Sequence, residues 1–205
     1  MLSLHKTGLV TLLMLLTLEL FGQDMSNSIG VVTISEEYDN TDRILELKNE
    51  DGSIWESIDL YKTWKGNPEF RILSFKPDYF LFHIKCIDQS STDFRVVVNE
   101  ATGLTKTIQK SNKVKLVSWE KFVQDVFSIG LKEESIVYDA IGGKPIPDIP
   151  TQKNIIVPKE VKGDWMRIIW SVEEYVRPTD DSESKSGWIR WKKNNKLNII
   201  LYHLS

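Results

Sequence analysis

Lys162-Gly163-Asp164-Trp165-Met166-Arg167-Ile168-Ile169-Trp170 and, beyond a polar loop, Ser186-Gly187-Trp188-Ile189-Arg190-Trp191 decide the reading of this chain. Successive side chains of a strand point to opposite faces, so the first stretch sends Met166, Ile168 and Trp170 one way and Trp165, Arg167 and Ile169 the other. The second sends Ile189 and Trp191 inward and leaves Trp188 and Arg190 outside. A small β core filled from one face of each strand follows, with Gly163 and Gly187 expected to relieve crowding where the strands turn in.

Working outward, Ser135–Tyr138, Asn154–Val157 and Leu197–Tyr202 supply further strand candidates between loops rich in Gly, Pro, Asn and Asp. Upstream, Asn49-Glu50-Asp51-Gly52 separates Ile44–Lys48 from Ser53–Ile58 as a hairpin. Strands are predicted at Phe70–Phe75, Tyr79–Ile87, Phe94–Asn99 and Leu104–Gln109, the last two turning at Glu100-Ala101-Thr102-Gly103. Ser118 is placed to cap a short helix whose Trp119, Phe122, Val123 and Val126 share one stripe, with Gly130 ending the stretch that follows. The predicted fold is therefore mainly β with one short helix: a β-rich unit over 23–117, helix and connector over 118–130, and a second β unit over 131–205.

The Gly-x-Trp-hydrophobic-basic-hydrophobic strand at 163–168, followed by Gly187-Trp188-Ile189, resembles the signature of bacterial SH3-like domains. Tyr138-Asp139-Ala140 and Lys144-Pro145-Ile146 resemble that family's opening strand and first loop. The resemblance spans about residues 131–205 and implies a small SH3-like barrel serving as a binding module. The acid-leaning stretch from Ser171 to Ser186, with Glu173, Glu174, Asp180, Asp181 and Glu183 against Arg177 and Lys185, departs from the family pattern.

Setting Asp93-Phe94-Arg95-Val96 and Gly103-Leu104 beside Asp164-Trp165-Met166-Arg167 and Gly187-Trp188 suggests an internal repeat, and Tyr61, Gly66 and Pro68 match Tyr138, Gly143 and Pro145 in order. Two readings stand: a second SH3-like barrel upstream, or unrelated hairpins.

Leu9 to Phe21 is mostly apolar, follows Lys6 and stops at Gly22 before Gln23 and Asp24, the pattern of a cleaved signal peptide over residues 1–22. The run is shorter than the ~20 residues of a membrane span, so no stable span is expected after cleavage. The expected location is periplasmic or extracellular. With 26 Lys+Arg against 29 Asp+Glu, the net charge of −3 disfavours nucleic acid as a partner. A single cysteine allows no internal disulfide, so packing has to hold the fold.

No catalytic constellation emerges. Cys86 lies three residues after His83, but in a strand such positions face opposite sides. Cys86 is expected on the apolar face with Phe80, Phe82 and Ile84, and His83 outside with Lys85. His83, His203 and one cysteine make no ordinary zinc site. Gly142-Gly143-Lys144-Pro145 lacks the spacing of a phosphate loop and reads as a turn. Lys192-Lys193-Asn194-Asn195-Lys196 reads as a solvated hairpin. No cofactor or metal is expected, and the protein is read as a non-enzyme.

Seven tryptophans exceed what small cores need. Trp165 and Trp188, beside Arg167 and Arg190 and with Tyr138, form the candidate ligand face through stacking and cation–π contact. The expected function is binding or scaffolding toward a cell-envelope peptide, a peptidoglycan component or a protein partner. The alternatives are an auxiliary subunit with structural barrels and a hydrolase with an unrecognised site.

Overall fold

The computed structural model describes residues 24–35, 42–60, 62, 66–76, 79, 81–179 and 184–204. The expected signal peptide, Tyr61, Phe80 and the acids Asp180, Asp181 and Glu183 lie outside the described residues.

The chain is mainly β with one short helix. Its first sheet contains β1 (Gly30–Ile34), β2 (Ile44–Lys48), β3 (Ile54–Asp59), β4 (Ser74–Lys76), β5 (Leu81–Gln89), β6 (Asp93–Asn99), β7 (Leu104–Gln109) and β8 (Val114–Val117). These run β3-β2-β7-β6-β5-β1-β8, with β4 added against the start of β5. Helix α1 (Trp119–Gln124) follows, and Ser118 caps it by accepting the Lys121 N–H at 3.2 Å. The second sheet contains β9 (Ser128–Leu131), β10 (Ile156–Lys162), β11 (Trp165–Ser171) and β12 (Ser184–Arg190). A hairpin of β13 (Lys192–Lys193) and β14 (Lys196–Leu197) precedes β15 (Ile199–Tyr202). The order is β12-β11-β10-β9-β15. Among the described residues neither hydrogen-bonded path closes into a ring.

Several boundaries differ from the sequence reading. Strands begin before Arg43, at β1, and β8 and β9 also lie outside the strands predicted from the sequence. Gly130 does not end a helical stretch but lies within β9, under the ring of Tyr202. Ser135–Tyr138 contributes only the bridges of Tyr138 to Trp188 and Pro145. The strand expected at Asn154–Val157 runs instead from Ile156 to Lys162, past Pro158, because a register shift between Pro158 and Glu160 places the proline at a bulge. Gly163 does not relieve crowding: nothing stands where its Cβ would be. Its φ of +58° is what the two-residue turn between β10 and β11 requires.

The two sheets repeat one plan. Adding the Tyr138 and Pro145 bridges to the second gives Pro145, Tyr138, β12, β11, β10, β9, β15, the same order and connectivity as β3-β2-β7-β6-β5-β1-β8. The register agrees around Arg95 and Arg167, the shift between Val97 and Asn99 having no counterpart in the second sheet. Arg95 faces Thr107 on one side and Asp88 on the other, as Arg167 faces Trp188 and Glu160. The bulge between Cys86 and Asp88 matches that between Pro158 and Glu160. Phe94 pairs with Ile108 as Met166 pairs with Ile189, so the motif match that sets Phe94 beside Trp165 is one residue out. Gly66 and Pro68 follow β3, whereas Pro145 stands at the β3 position itself, so that upstream match is also out of register.

Two cores result. One, inside the first unit, gathers Leu47, Ile58, Phe82, Ile84, Cys86, Val96 and Ile108. The other holds Met166, Ile168, Trp170, Ile189 and Trp191 of the second unit. Met25, Val31 of β1 and the whole Trp119/Phe122/Val123/Val126 stripe complete it. The helix is thus the packing between the units.

Candidate binding face

The pairings of β10, β11 and β12 set a checkerboard on one face of the second sheet, because residues opposite one another on paired strands share a face. One row is Glu160, Arg167, Trp188 and Tyr138; the next is Lys162, Trp165 and Arg190. The Arg190 guanidinium lies over the Trp165 ring at 4.6 Å, and the Lys162 ammonium lies over Trp188 at 5.5 Å. Tyr138 meets Trp165 edge to face, centroids 5.3 Å apart. Its backbone exchanges two 2.8 Å hydrogen bonds with Trp188. All five residues singled out from the sequence are brought together. Trp165, Arg167, Trp188 and Tyr138 are half-buried and Arg190 is exposed.

Ile169, assigned to this outer face by alternation, is fully buried, so the open part ends at Arg167. Glu174 of the 171–186 stretch and Asp164 of the turn before Trp165 both have cationic partners among the described residues. Glu174 pairs with Lys153 at 3.0 Å, and Arg190 has Asp164 at 3.9 Å. Lys162, Glu160 and Asp164 are members of the face that the sequence reading missed. The signal was the Gly163-Asp164 turn, which makes Lys162 the cross-strand partner of Trp165.

The repeated plan allows the same face to be read in the first unit. Asp93 stands for Trp165, Arg95 for Arg167, Thr107 for Trp188, Gln109 for Arg190 and Lys48 for Tyr138. Both indoles and the phenol are absent there. The aromatic face belongs to one unit alone.

Cys86 lies on the apolar side of β5 as expected, fully buried; burial pushes its thiol up to about 11, far from a nucleophilic thiolate. His83 and Lys85 are not outside. That side of β5 faces the helix and the chain's last residues. The His83 ring lies 4.5 Å from His203 and 4.9 Å from Phe122, and its Nδ1 is buried without a hydrogen-bond partner. Burial, and secondarily His203, pull His83 down to about 3; burial lowers His203 as well. Lys85 is buried too, donating from Nζ to the Asp24 carbonyl and standing 3.9 Å from Glu100. Glu100 is raised, chiefly by burial.

Among the described residues no three His, Cys, Asp or Glu side chains are grouped to hold a metal, and no helix is long and apolar enough to cross a membrane. Comparison with protein-family models, curated proteins and solved structures finds no match to this chain.

Proposed function

We propose that this is an exported, non-catalytic binding protein whose C-terminal unit is SH3-like and binds a cell-envelope peptide or peptidoglycan component, or a protein partner, through the Tyr138/Trp165/Trp188 face. One observation carries the reading: two half-exposed indoles sit on adjacent strands under stacked cations and outside both cores. Such rings contribute no interior packing that would explain their placement, whereas stacking on a ligand does. The meander β10-β11-β12, with β15 paired to β9, supports the SH3-like assignment.

Two measurements test it. Trp188→Ala should lower co-sedimentation with isolated peptidoglycan, or capture of the partner, by at least ~10-fold, as the loss of an aromatic anchor does. The thermal midpoint should move by only a few degrees, because the ring is not in a core. Unchanged binding would remove the face from consideration. For export, the intact mass of protein recovered from the envelope or medium should lack residues 1–22, and a mass that retains Met1 would refute cleavage.

A further inference from the structure

The hydrogen-bond donors of the candidate face are unspent. Two buried indoles elsewhere in the chain are satisfied: Trp119 Nε1 donates to Ser28 Oγ at 2.9 Å and Trp191 Nε1 to the Gly163 carbonyl at 2.8 Å. Among the described residues, the indole N–H groups of Trp165 and Trp188, the Tyr138 hydroxyl and the Arg190 guanidinium donate to no protein acceptor.

Arg190 is the telling member. Stacking on Trp165 fixes the plane of its guanidinium, and its side chain remains 54% exposed. Its nearest carboxylate oxygen, on Asp164, is 3.9 Å away, beyond hydrogen-bond reach, and Asp164 also serves Lys192 at 3.5 Å. The other acid of the face, Glu160, is held by Lys162 at 2.6 Å. A guanidinium carries five N–H donors and no acceptor; indole N–H donates only. The face thus offers donors in a preordered array, while its two acids are ion-paired with Lys162 and Lys192. A ligand that fits must bring acceptors.

We infer that the face recognises carboxylates of an acidic peptide, with the Arg190 fork on a carboxylate and the Trp165, Trp188 and Tyr138 donors on flanking oxygens. Planar two-point contact is what a guanidinium gives and an ammonium does not, so Arg190 is the specificity-determining residue. The inference rests on the proposed binding role of this face and adds the chemistry of what it binds.

The test uses the full chain in a nitrogen-15 titration that follows the indole N–H signals of Trp165 and Trp188. The probes are acetyl-(Gly-Glu)2-amide and its glutamine counterpart. The glutamate peptide should shift both signals and bind at least ~10-fold more tightly than the glutamine peptide. Arg190→Gln should remove that preference, and Arg190→Lys, which keeps the charge, should restore only part of it. Equal affinity for the two peptides, retention of the preference in Arg190→Gln, or no shift with either peptide would each overturn the carboxylate reading. Co-sedimentation with peptidoglycan in wild type and Trp188→Ala separates that failure from failure of the face itself. Trp188-dependent binding without carboxylate preference leaves the face standing.

Discussion

Gly187→Val is expected to cost about 3–5 kcal/mol. A Cβ at Gly187 would stand 2.4 Å from Val137 Cγ1 and 3.2 Å from the Tyr138 carbonyl oxygen. Real atoms do not approach so closely, and Val137 is itself fully buried, so it cannot yield. Overpacking of this kind typically costs about 1–3 kcal/mol. Valine adds to it by forcing the Tyr138 segment off β12 and breaking both 2.8 Å backbone bonds between Tyr138 and Trp188, each worth about 1 kcal/mol. The thermal midpoint should fall by roughly 10–15 °C. Lys193→Ala, on the exposed face of the terminal hairpin, should stay within about 0.5 kcal/mol. Gly187→Ala combined with Val137→Ala should recover part of the loss. Equal midpoints for Gly187→Val and Lys193→Ala would contradict this packing.

Acid should weaken the chain chiefly through its histidines, with the raised Glu100 offsetting part of the loss as pH nears the carboxylate range. His83 is an imidazole whose folded-state value, about 3, lies below the 6.5 of the free side chain. The unfolded chain therefore binds the proton more readily. Stability is fully present above about pH 6.5 and is lost progressively as pH falls toward 3. The linkage amounts to about 3–5 kcal/mol over that window. His203 contributes in the same direction. Among the described residues the groups around His83 offer no acid to receive its charge: Thr33 and Ser74 oppose it across the strands, Lys115 follows in the same row, the helix presents Phe122, and His203 lies against the ring. Asp24, lowered by hydrogen bonds from Ser26, loses its contribution only below the usual carboxylate range. Denaturant unfolding at pH 7, 6, 5 and 4.5 should show the decline, and His83→Phe combined with His203→Phe should flatten it. A wild type equally stable at pH 7 and 4.5 would rule this out.

The two predictions mark where the sequence was legible and where it was not. Alternation alone placed Met166, Ile168, Trp170, Ile189 and Trp191 inside and Trp165, Trp188, Arg167 and Arg190 outside, because β11 and β12 are long, regular and covered on one side. It failed at Ile169 and at His83 and Lys85 for one reason. Period two assumes that the second face of a strand meets water, whereas those positions meet the rest of the chain. The repeat was visible as paired motifs, but only the cross-strand pairings give its register, since the consecutive apolar runs Val96–Val98 and Ile168–Trp170 match as well one residue out. The candidate face was legible from its aromatics. Lys162 was hidden until the Gly163-Asp164 turn tied β10 to β11.

Met25, near the start of the described chain, donates its N–H to the Asn195 carbonyl at 2.7 Å and shares a core with Leu197 and Ile199 near the end. The order in which this protein can acquire its shape follows from that contact. The first core, from Val32 to Val114, is complete within its own unit, whereas the second is not. The second core lacks a wall until residues from the far end of the sequence arrive, and closing so long a loop is slow. A growing or threading chain consequently keeps its second unit pliable almost to the last strand, and cutting back past Asn195 would release Met25 at the opposite end.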